Sequence, residues 1–190
     1  EILSSMKDEN GRVTIEGFYD GVEINEETKR ILSEVPDDEI AMRDKMEFKT
    51  PDNVGENYQE SIQYPSLNVR GIESGWVREE VRTIVPSECV AEIDVRLVLE
   101  SNPQRLHNLI KKHIEELGYT ILDRSPSKEE RLKYNKIVTF KSSFDYDAFR
   151  TDINSDIGKW LVKSLTETFN VSPVKKRTSG GSVPSSPFVK

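Results

Sequence analysis

The sequence predicts an α+β fold, a two-layer sandwich in which an antiparallel four-stranded sheet carries helices on one face. Residues 89–98 alternate apolar and polar side chains with the period of two that a half-buried strand requires. Two later segments carry apolar residues at helical spacing. Short apolar runs between turn residues supply the remaining strands.

The order of the elements along the chain favours this sandwich. We expect a helix end at 2–6, an extended arm at 11–17, and strands at 67–72, 89–98, 119–122 and 137–140. A first long helix begins at the cap formed by Ser101, Asn102 and Pro103 and ends at Gly118. A short helix at 127–134 follows, and a second long helix begins at Ser155 and ends near Asn170.

Residues 33–63 form a polar, acidic stretch that we interpret as a surface insertion with a short helix through Met46 and a loop at 50–59. The proline-, glycine- and serine-rich tail after Val171 is predicted to be a loop.

The composition excludes several classes of protein. The 190 residues suffice for one domain, or one domain and part of another, and they include 27 basic and 34 acidic side chains, a net charge of −7. Scattered acidic charge is a poor match for phosphate backbones, so we expect no nucleic acid partner. The compact basic cluster Lys175-Lys176-Arg177 is expected to form a solvated turn rather than a binding patch. No apolar run approaches the length of a bilayer span, so we expect no membrane partner either.

Few residues of this chain are suited to bind a metal. Cys89 is the only cysteine, which excludes an internal disulfide, and its position on the apolar face of its strand favours a small buried side chain. The two histidines, His107 and His113, are six residues apart on one predicted helix and do not share a face. We expect His107 to be solvated, His113 to border the core, and no metal ligand or catalytic group here.

Arg96 and Thr83 are candidate binding residues with ordinary alternatives. Arg96 lies on the outward face of its strand, where it can form a cross-strand salt bridge or offer a guanidinium fork to a substrate carboxylate. Thr83 precedes a strand corner at Pro86, where its hydroxyl can bond the local backbone or a ligand.

The segment Gly180-Gly181-Ser182 is a third candidate. Its bare backbone N–H groups and the Ser182 hydroxyl could recognise an anion or a carbonyl, although a glycine turn alone is also an ordinary loop. The surrounding sequence lacks the Gly-x-Ser-x-Gly pattern of a serine hydrolase.

Taken together, these motifs resemble a known family. Thr83-Ile84-Val85-Pro86, then Asp94-Val95-Arg96, then Gly180-Gly181-Ser182-Val183-Pro184 follow in the order found in the dinuclear zinc peptidases that include carnosinases, aminoacylases and acetylornithine or succinyl-diaminopimelate deacylases. Tyr64-Pro65-Ser66-Leu67, Gly71-Ile72-Glu73 and the segment 11–17 are similar to the carnosinase-like branch.

The resemblance implies a division of the chain into a ferredoxin-like lid or dimerisation domain at 1–142 and the start of a returning catalytic segment at 143–190. It implies a homodimer formed through the lid, with Thr83, Arg96, Gly181 and Ser182 contacting substrate. The parent would be a cytoplasmic enzyme that hydrolyses a dipeptide or an N-acyl amino acid with two zinc ions. The fragment itself would bind no zinc and be inactive.

Some family features fall outside this chain or differ in it. We expect an excised piece, with the first lid strand, the lid histidine and most metal ligands before Glu1, and the last histidine ligand after Lys190. Residues 141–150 lack the histidine that some carnosinases carry there, which leaves the dipeptide specificity open. Ser179 stands where other members carry an acidic residue, a difference that we treat as neutral. The alternative is a stand-alone ferredoxin-like module that binds a small ligand or dimerises without catalysis.

Overall fold

The computed structural model describes residues 1–181 and 183–188. Its α-helices are α1 (Ile2–Ser5), α2 (Glu26–Ser33), α3 (Glu39–Met46), α4 (Tyr58–Ser61), α5 (Pro103–Glu116), α6 (Lys128–Lys133) and α7 (Asp156–Phe169). Its strands are β1 (Ser66–Ser74), β2 (Cys89–Arg96), β3 (Thr120–Leu122) and β4 (Ile137–Thr139). The predicted strands and the two long helices are thereby confirmed, with shifts of a few residues at their ends.

The start, the end and the buried face of helix α5 are all encoded by neighbouring residues. The Asn102 side chain accepts a hydrogen bond from the Arg105 backbone N–H at 2.8 Å, and Pro103 occupies the first turn. Gly118 follows the helix with φ +84°, a conformation that glycine adopts without strain. The apolar stripe at helical spacing is buried.

A single apolar core lies under α5. Its buried side chains are Met6, Val13, Ile15, Phe18, Leu67, Leu106, Ile110 and Ile114. Ile93 and Val95 of β2, Ile121 of β3 and Val138 of β4 are half-buried and pack against the same core. The predicted arm at 11–17 contributes two of the buried residues, but its only described bridge joins Lys7 to Val13. Both pairs of strands therefore face one core.

Strands β1 and β2 form an antiparallel hairpin that is covered only at its inner end. Leu67 pairs with Val95 and is 2% exposed, whereas Ser74 pairs with Cys89 at the outer end. Cys89 is exposed, so its predicted burial is wrong. Of the apolar set predicted to face the core from β2, Ile93 and Val95 pack against it, but the outer half of the hairpin extends beyond the reach of the core.

Strands β3 and β4 pair in parallel, so the residues that the structure describes form two two-stranded sheets rather than one antiparallel four-stranded sheet. The reason is the connection between them. Helix α6 lies between β3 and β4, and a strand–helix–strand crossover returns the second strand in the direction of the first. The sequence predicted these elements correctly but did not predict their pairing.

Residues 25–64 form a small helical layer. The side chains of Asn25 and Asn57 cap α2 and α4 by accepting hydrogen bonds from backbone N–H groups at 2.8 and 2.9 Å. The sequence interpretation missed both helices, although each asparagine was an available start signal. Gln59 and Gln63 in this layer are buried, a feature that the predicted surface insertion did not anticipate.

Helix α7 keeps its apolar stripe exposed. The Ser155 hydroxyl accepts a hydrogen bond from the Gly158 N–H at 3.3 Å, and Asn170 ends the helix with φ +53°. The stripe consists of Ile157, Trp160, Leu161, Leu165 and Phe169, all exposed. No helix within 1–181 or 183–188 has both the length and the apolarity that crossing a membrane requires.

Candidate functional site

Thr83 lies at the tip of the β1–β2 hairpin. It is exposed, and its neighbour Arg82 stacks over the Trp76 ring with 4.7 Å between the guanidinium carbon and the ring centroid. Gly75 has φ +64° beside Pro86, and a Cβ at Gly75 would lie 2.8 Å from the proline Cγ. These contacts close the tip beyond the outer end of the hairpin.

Arg96 is the last residue of β2, at the opposite end of the hairpin. Its Nε donates to Asp94 Oδ2 at 2.5 Å, and 59% of its side chain is exposed. This hydrogen bond and the charge of Asp94 raise the pKa of Arg96. The cross-strand ion pair instead joins Arg70 Nε to Glu92 Oε2 at 3.0 Å.

The hairpin therefore keeps Thr83 and Arg96 apart. Strand β2 has eight residues, which at about 3.3 Å per residue separates its ends by about 23 Å. Thr83 lies beyond one end and Arg96 marks the other. The two side chains of one chain cannot contact the same small ligand.

The glycine segment lies against the helical layer. A Cβ at Gly180 would lie 2.5 Å from the Tyr58 Oη, so this position excludes any larger residue unless the tyrosine moves. Gly181 is exposed, and a Cβ there would meet no atom within 4 Å. Ser182, the fourth predicted contact residue, lies outside the described residues.

The two histidines take part in local hydrogen bonds. His113 Nε2 lies 2.9 Å from the Ser5 hydroxyl, and His107 Nδ1 lies 2.8 Å from the Ser142 hydroxyl. His107 also packs edge-on against Phe140, so it is half-buried rather than solvated as predicted. Within 1–181 and 183–188, no group of three or more His, Cys, Asp and Glu side chains could hold a metal ion.

An ion cluster that the sequence did not reveal joins the sandwich to the tail. Arg150 Nη2 lies 2.6 Å from Glu100 Oε1, and Arg177 Nη2 lies 3.7 Å from the same oxygen. Burial opposes ionisation of Glu100, but the hydrogen bond from Arg150 and the two guanidinium charges outweigh it, so the pKa of Glu100 is lowered. Burial, reinforced by the charge of Arg150, lowers the pKa of Arg177.

Sequence reasoning assigned Arg177 to a solvated basic turn. Nothing in the neighbouring residues signals its partner, because Glu100 precedes it by a large part of the chain. Only 17% of the Arg177 side chain is exposed. Its Nη1 atom is buried and has no hydrogen-bond partner among the residues described.

Comparison with known proteins defines the family. The model of the peptidase dimerisation domain matches residues 1–121, more than half of the chain. The chain belongs to the peptidase dimerisation domain family. This membership confirms the resemblance predicted from the motifs.

Individual relatives are dipeptidases. The chain is 24% identical over 199 residues to the Cys-Gly metallodipeptidase DUG1 of Candida albicans, covering 97% of this chain and 36% of that protein. It is 26% identical over 123 residues to the Beta-Ala-His dipeptidase of Homo sapiens, covering 61% of this chain and 24% of that protein. The chain therefore spans well under half the length of these relatives.

Solved structures have the same fold. An M20 family metallo-carboxypeptidase from Sulfolobus solfataricus superimposes with a TM-score of 0.69 at 28% identity, over 99% of this chain and 40% of that one. Human carnosine dipeptidase 1 superimposes with a TM-score of 0.68 at 19% identity, over 96% of this chain and 37% of that one. The predicted α+β class is confirmed.

Proposed function

We propose that this chain is the lid and dimerisation domain, residues 1–142, joined to the start of a catalytic segment, residues 143–190, of a metal-dependent peptidase. The parent hydrolyses dipeptides or N-acyl amino acids. The observation that carries this proposal is the match of residues 1–121 to the peptidase dimerisation domain. The names of the relatives, a metallodipeptidase and a dipeptidase, support the reaction class.

The outer half of the β1–β2 hairpin is the proposed homodimer contact. Exposed apolar side chains cluster there: Val69, Ile72, Val77, Val81, Ile84, Val85 and Val90. Strand β1 pairs only with β2 in the described sheets, which leaves one strand edge available to a second copy. Exposed apolar patches of this kind mark association surfaces.

Thr83, Arg96, Gly181 and Ser182 are the proposed substrate contacts. Because the hairpin separates Thr83 from Arg96 by the length of β2, one substrate would meet these two residues from different subunits. Arg96 and the glycine segment would recognise the substrate carboxylate by charge and by backbone N–H groups. This arrangement makes the dimer a condition for activity.

In the parent, residues outside this sequence would cover the exposed apolar stripe of α7 and complete the two small sheets. The apolar stripe of α7 would pack on the catalytic domain. A strand from outside this sequence, placed between β2 and β3, would join the two small sheets into one mixed five-stranded sheet. The half-buried side chains that both sheets direct to one core support this completion.

The described residues do not fit a zinc site, since they lack a cluster of metal-binding side chains. We therefore place the two proposed zinc ions on parent residues outside this sequence, and we expect residues 1–190 alone to be inactive. A cytoplasmic location for the parent stays a prediction.

The full-length parent tests the reaction. Purified enzyme should hydrolyse Cys-Gly, β-Ala-His or an N-acetyl amino acid, lose activity with a chelator and recover it with added Zn²⁺. Failure to hydrolyse any member of a broad panel of dipeptides and N-acyl amino acids would contradict the proposed reaction. Failure of Zn²⁺ to restore activity would contradict the choice of metal.

The dimer contact has its own test. Ile72→Asp places a charge on the outer hairpin and should convert the parent from dimer to monomer, because desolvating an unpaired carboxylate at an interface is costly. Light scattering after size-exclusion chromatography measures the mass. Leu132→Asp on α6, where the leucine is 80% exposed, is the matched control and should leave the dimer intact. A dimeric Ile72→Asp protein would rule out this surface.

A further inference from the structure

The tail that leads to the glycine segment runs between two sets of partners. Lys176 and Thr178 contact the helical layer, and Gly180 packs against Tyr58 in α4. Arg177, between them, faces Glu100 on the other side. Alternate residues pointing in opposite directions are the signature of an extended backbone. The tail is thus held on both sides just before Gly181.

The partners in the helical layer are buried amides. Gln63 is 2% exposed and Gln59 is 3% exposed. Gln63 Nε2 donates to the Gln59 carbonyl at 2.9 Å, while Gln63 Oε1 accepts from the Thr178 hydroxyl at 3.1 Å. Both ends of the Gln63 amide are therefore engaged, and the hydroxyl of Thr178 has one defined position.

A second connection runs parallel to the first. Gln59 Nε2 donates to Asp37 Oδ2 at 2.5 Å, and Lys176 Nζ lies 3.6 Å from Asp37 Oδ1. Lys176 and Thr178 are thus linked through Asp37, Gln59 and Gln63 into one polar network. Networks in which buried polar groups depend on each other fix geometry more strictly than apolar packing does.

One acceptor of the network is left without a partner within the described part of the chain. Gln59 Oε1 is buried and has no hydrogen-bond partner in the portion of the chain described, and a buried unpaired acceptor is unfavourable. Apolar side chains of similar size would fill the same space without this penalty. The cost is explained if the amides serve to place the tail.

We propose that Gln63 and Gln59 are positioning residues for substrate recognition: through Thr178 they hold the backbone at Gly180 and Gly181 in the orientation that binds the substrate carboxylate. This inference rests on the proposed function, since it assigns a purpose to the glycine segment named there. It gives residues 37–63 a role in the site rather than on the surface.

The test uses the full-length parent and a dipeptide that it hydrolyses, Cys-Gly or β-Ala-His. Thr178→Val removes the hydroxyl at constant shape and should raise KM about 5- to 20-fold while kcat changes less than 2-fold. Thr178→Ser keeps the hydroxyl and should stay within 2-fold of wild type. Gln63→Leu should match Thr178→Val, and the double variant should lose no more than either single change, because both remove one connection.

Thr139→Val is the matched control. The Thr139 hydroxyl on β4 also donates to a carbonyl, that of Arg124 at 3.0 Å, but it lies away from the tail. This variant should keep the wild-type KM. If a general loss of stability caused the rise in KM, the KM of Thr139→Val and of Thr178→Ser would rise as well.

Hydrogen exchange of the tail separates failure of this inference from failure of the proposed function. Amides of residues 177–181 should exchange faster in Thr178→Val and Gln63→Leu than in Thr139→Val. Unchanged exchange would overturn the positioning role whatever the activity. Faster exchange with an unchanged KM would overturn the link to recognition. A wild-type parent that hydrolyses no member of the broad panel of dipeptides and N-acyl amino acids would overturn the proposed reaction and with it the assigned purpose. Exchange would still decide whether the amides order the tail.

Discussion

Arg96 is an exposed charge that contacts a carboxylate of its own strand. Its contact with Asp94 is largely exposed, and exposed ion pairs contribute only about 0 to 1 kcal/mol to stability. Exchanging part of this contact for a substrate carboxylate would therefore cost little. A carboxylate bound in a closed site, away from water, would gain more from the same guanidinium.

We predict that Arg96→Ala in the parent lowers kcat/KM by roughly 30- to 1000-fold, about 2 to 4 kcal/mol of transition-state binding, with little change in stability. Steady-state kinetics with a hydrolysed dipeptide measures the effect. Arg70→Ala is the control, because Arg70 is also an exposed strand arginine with a carboxylate partner. Equal, small decreases in kcat/KM in both variants would show that Arg96 does not contact the substrate.

Arg177 marks the limit of sequence interpretation at the residue scale. Its charge and its place after two lysines are visible in the sequence, but its environment is not. The partner oxygen on Glu100 comes from the connection between β2 and α5. Only the folded chain brings that connection to the tail, so a residue predicted to be solvated is mostly buried.

At the scale of elements, α6 is a helix whose start is determined by side chains close to it in the sequence. The Ser127 hydroxyl accepts from the Glu130 N–H at 3.2 Å, and Glu130 Oε2 accepts from the Ser127 N–H at 2.7 Å, a reciprocal capping box. Both Arg124 Nη atoms also donate to the Glu130 carboxylate at 2.8 Å. All of these residues lie within one short segment, so the helix was predictable.

We predict that Glu130 titrates unusually low. The hydrogen bonds from Arg124, followed by the one from the Ser127 backbone, lower the pKa of Glu130 from 4.5 to about 2. Because the folded-state pKa is below the unfolded value, this contribution to stability is complete above about pH 4.5 and is lost as the pH falls toward 2. Carboxyl chemical shifts recorded by NMR measure the titration.

Two variants check this assignment. Glu130→Gln should remove the low-pH titration and fray α6, because the amide keeps neither the charge nor the full capping geometry. Glu129→Gln, on the same turn, should leave the titration of Glu130 in place. A Glu130 carboxyl that titrates near 4.5 in the folded protein would contradict the bidentate contact with Arg124.

The pairing of strands is an element-scale feature that the sequence left open. The apolar runs of β3 and β4 predict strands equally well in a parallel or an antiparallel sheet. The sequence also predicts the intervening α6, but it does not predict the direction in which β4 returns. Strand direction depends on how the connection crosses the sheet, and this is decided by packing on the core.

At the scale of the whole molecule, the core and the tail contribute different kinds of contact to the stability of the chain. The core cluster and the side chains packed against it all precede residue 142. The contacts of 143–190 with the sandwich and the helical layer include ion pairs and hydrogen bonds of Arg150, Lys176, Arg177 and Thr178. The boundary near residue 142 stays a prediction, which truncation can test.

We predict that truncation to residues 1–142 preserves cooperative unfolding and lowers the free energy of unfolding by about 1 to 3 kcal/mol, the contribution of a few half-buried polar contacts. Urea denaturation followed by circular dichroism measures it. The double variant Arg150→Ala/Arg177→Ala in the 190-residue chain should account for most of the decrease. Loss of cooperative unfolding on truncation would place the tail inside the same folding unit.

The sequence by itself determined the elements and the family, because caps, periodicities and ordered motifs act within short stretches of chain. Helix α5 follows from Asn102, Pro103 and its apolar spacing, and the motifs around Thr83 and Arg96 identify the lineage. The tertiary structure alone decided the parallel pairing of β3 with β4 and the burial of Gln63 against Thr178, a contact across 115 residues. Such contacts depend on the path of the entire backbone, which no local preference specifies.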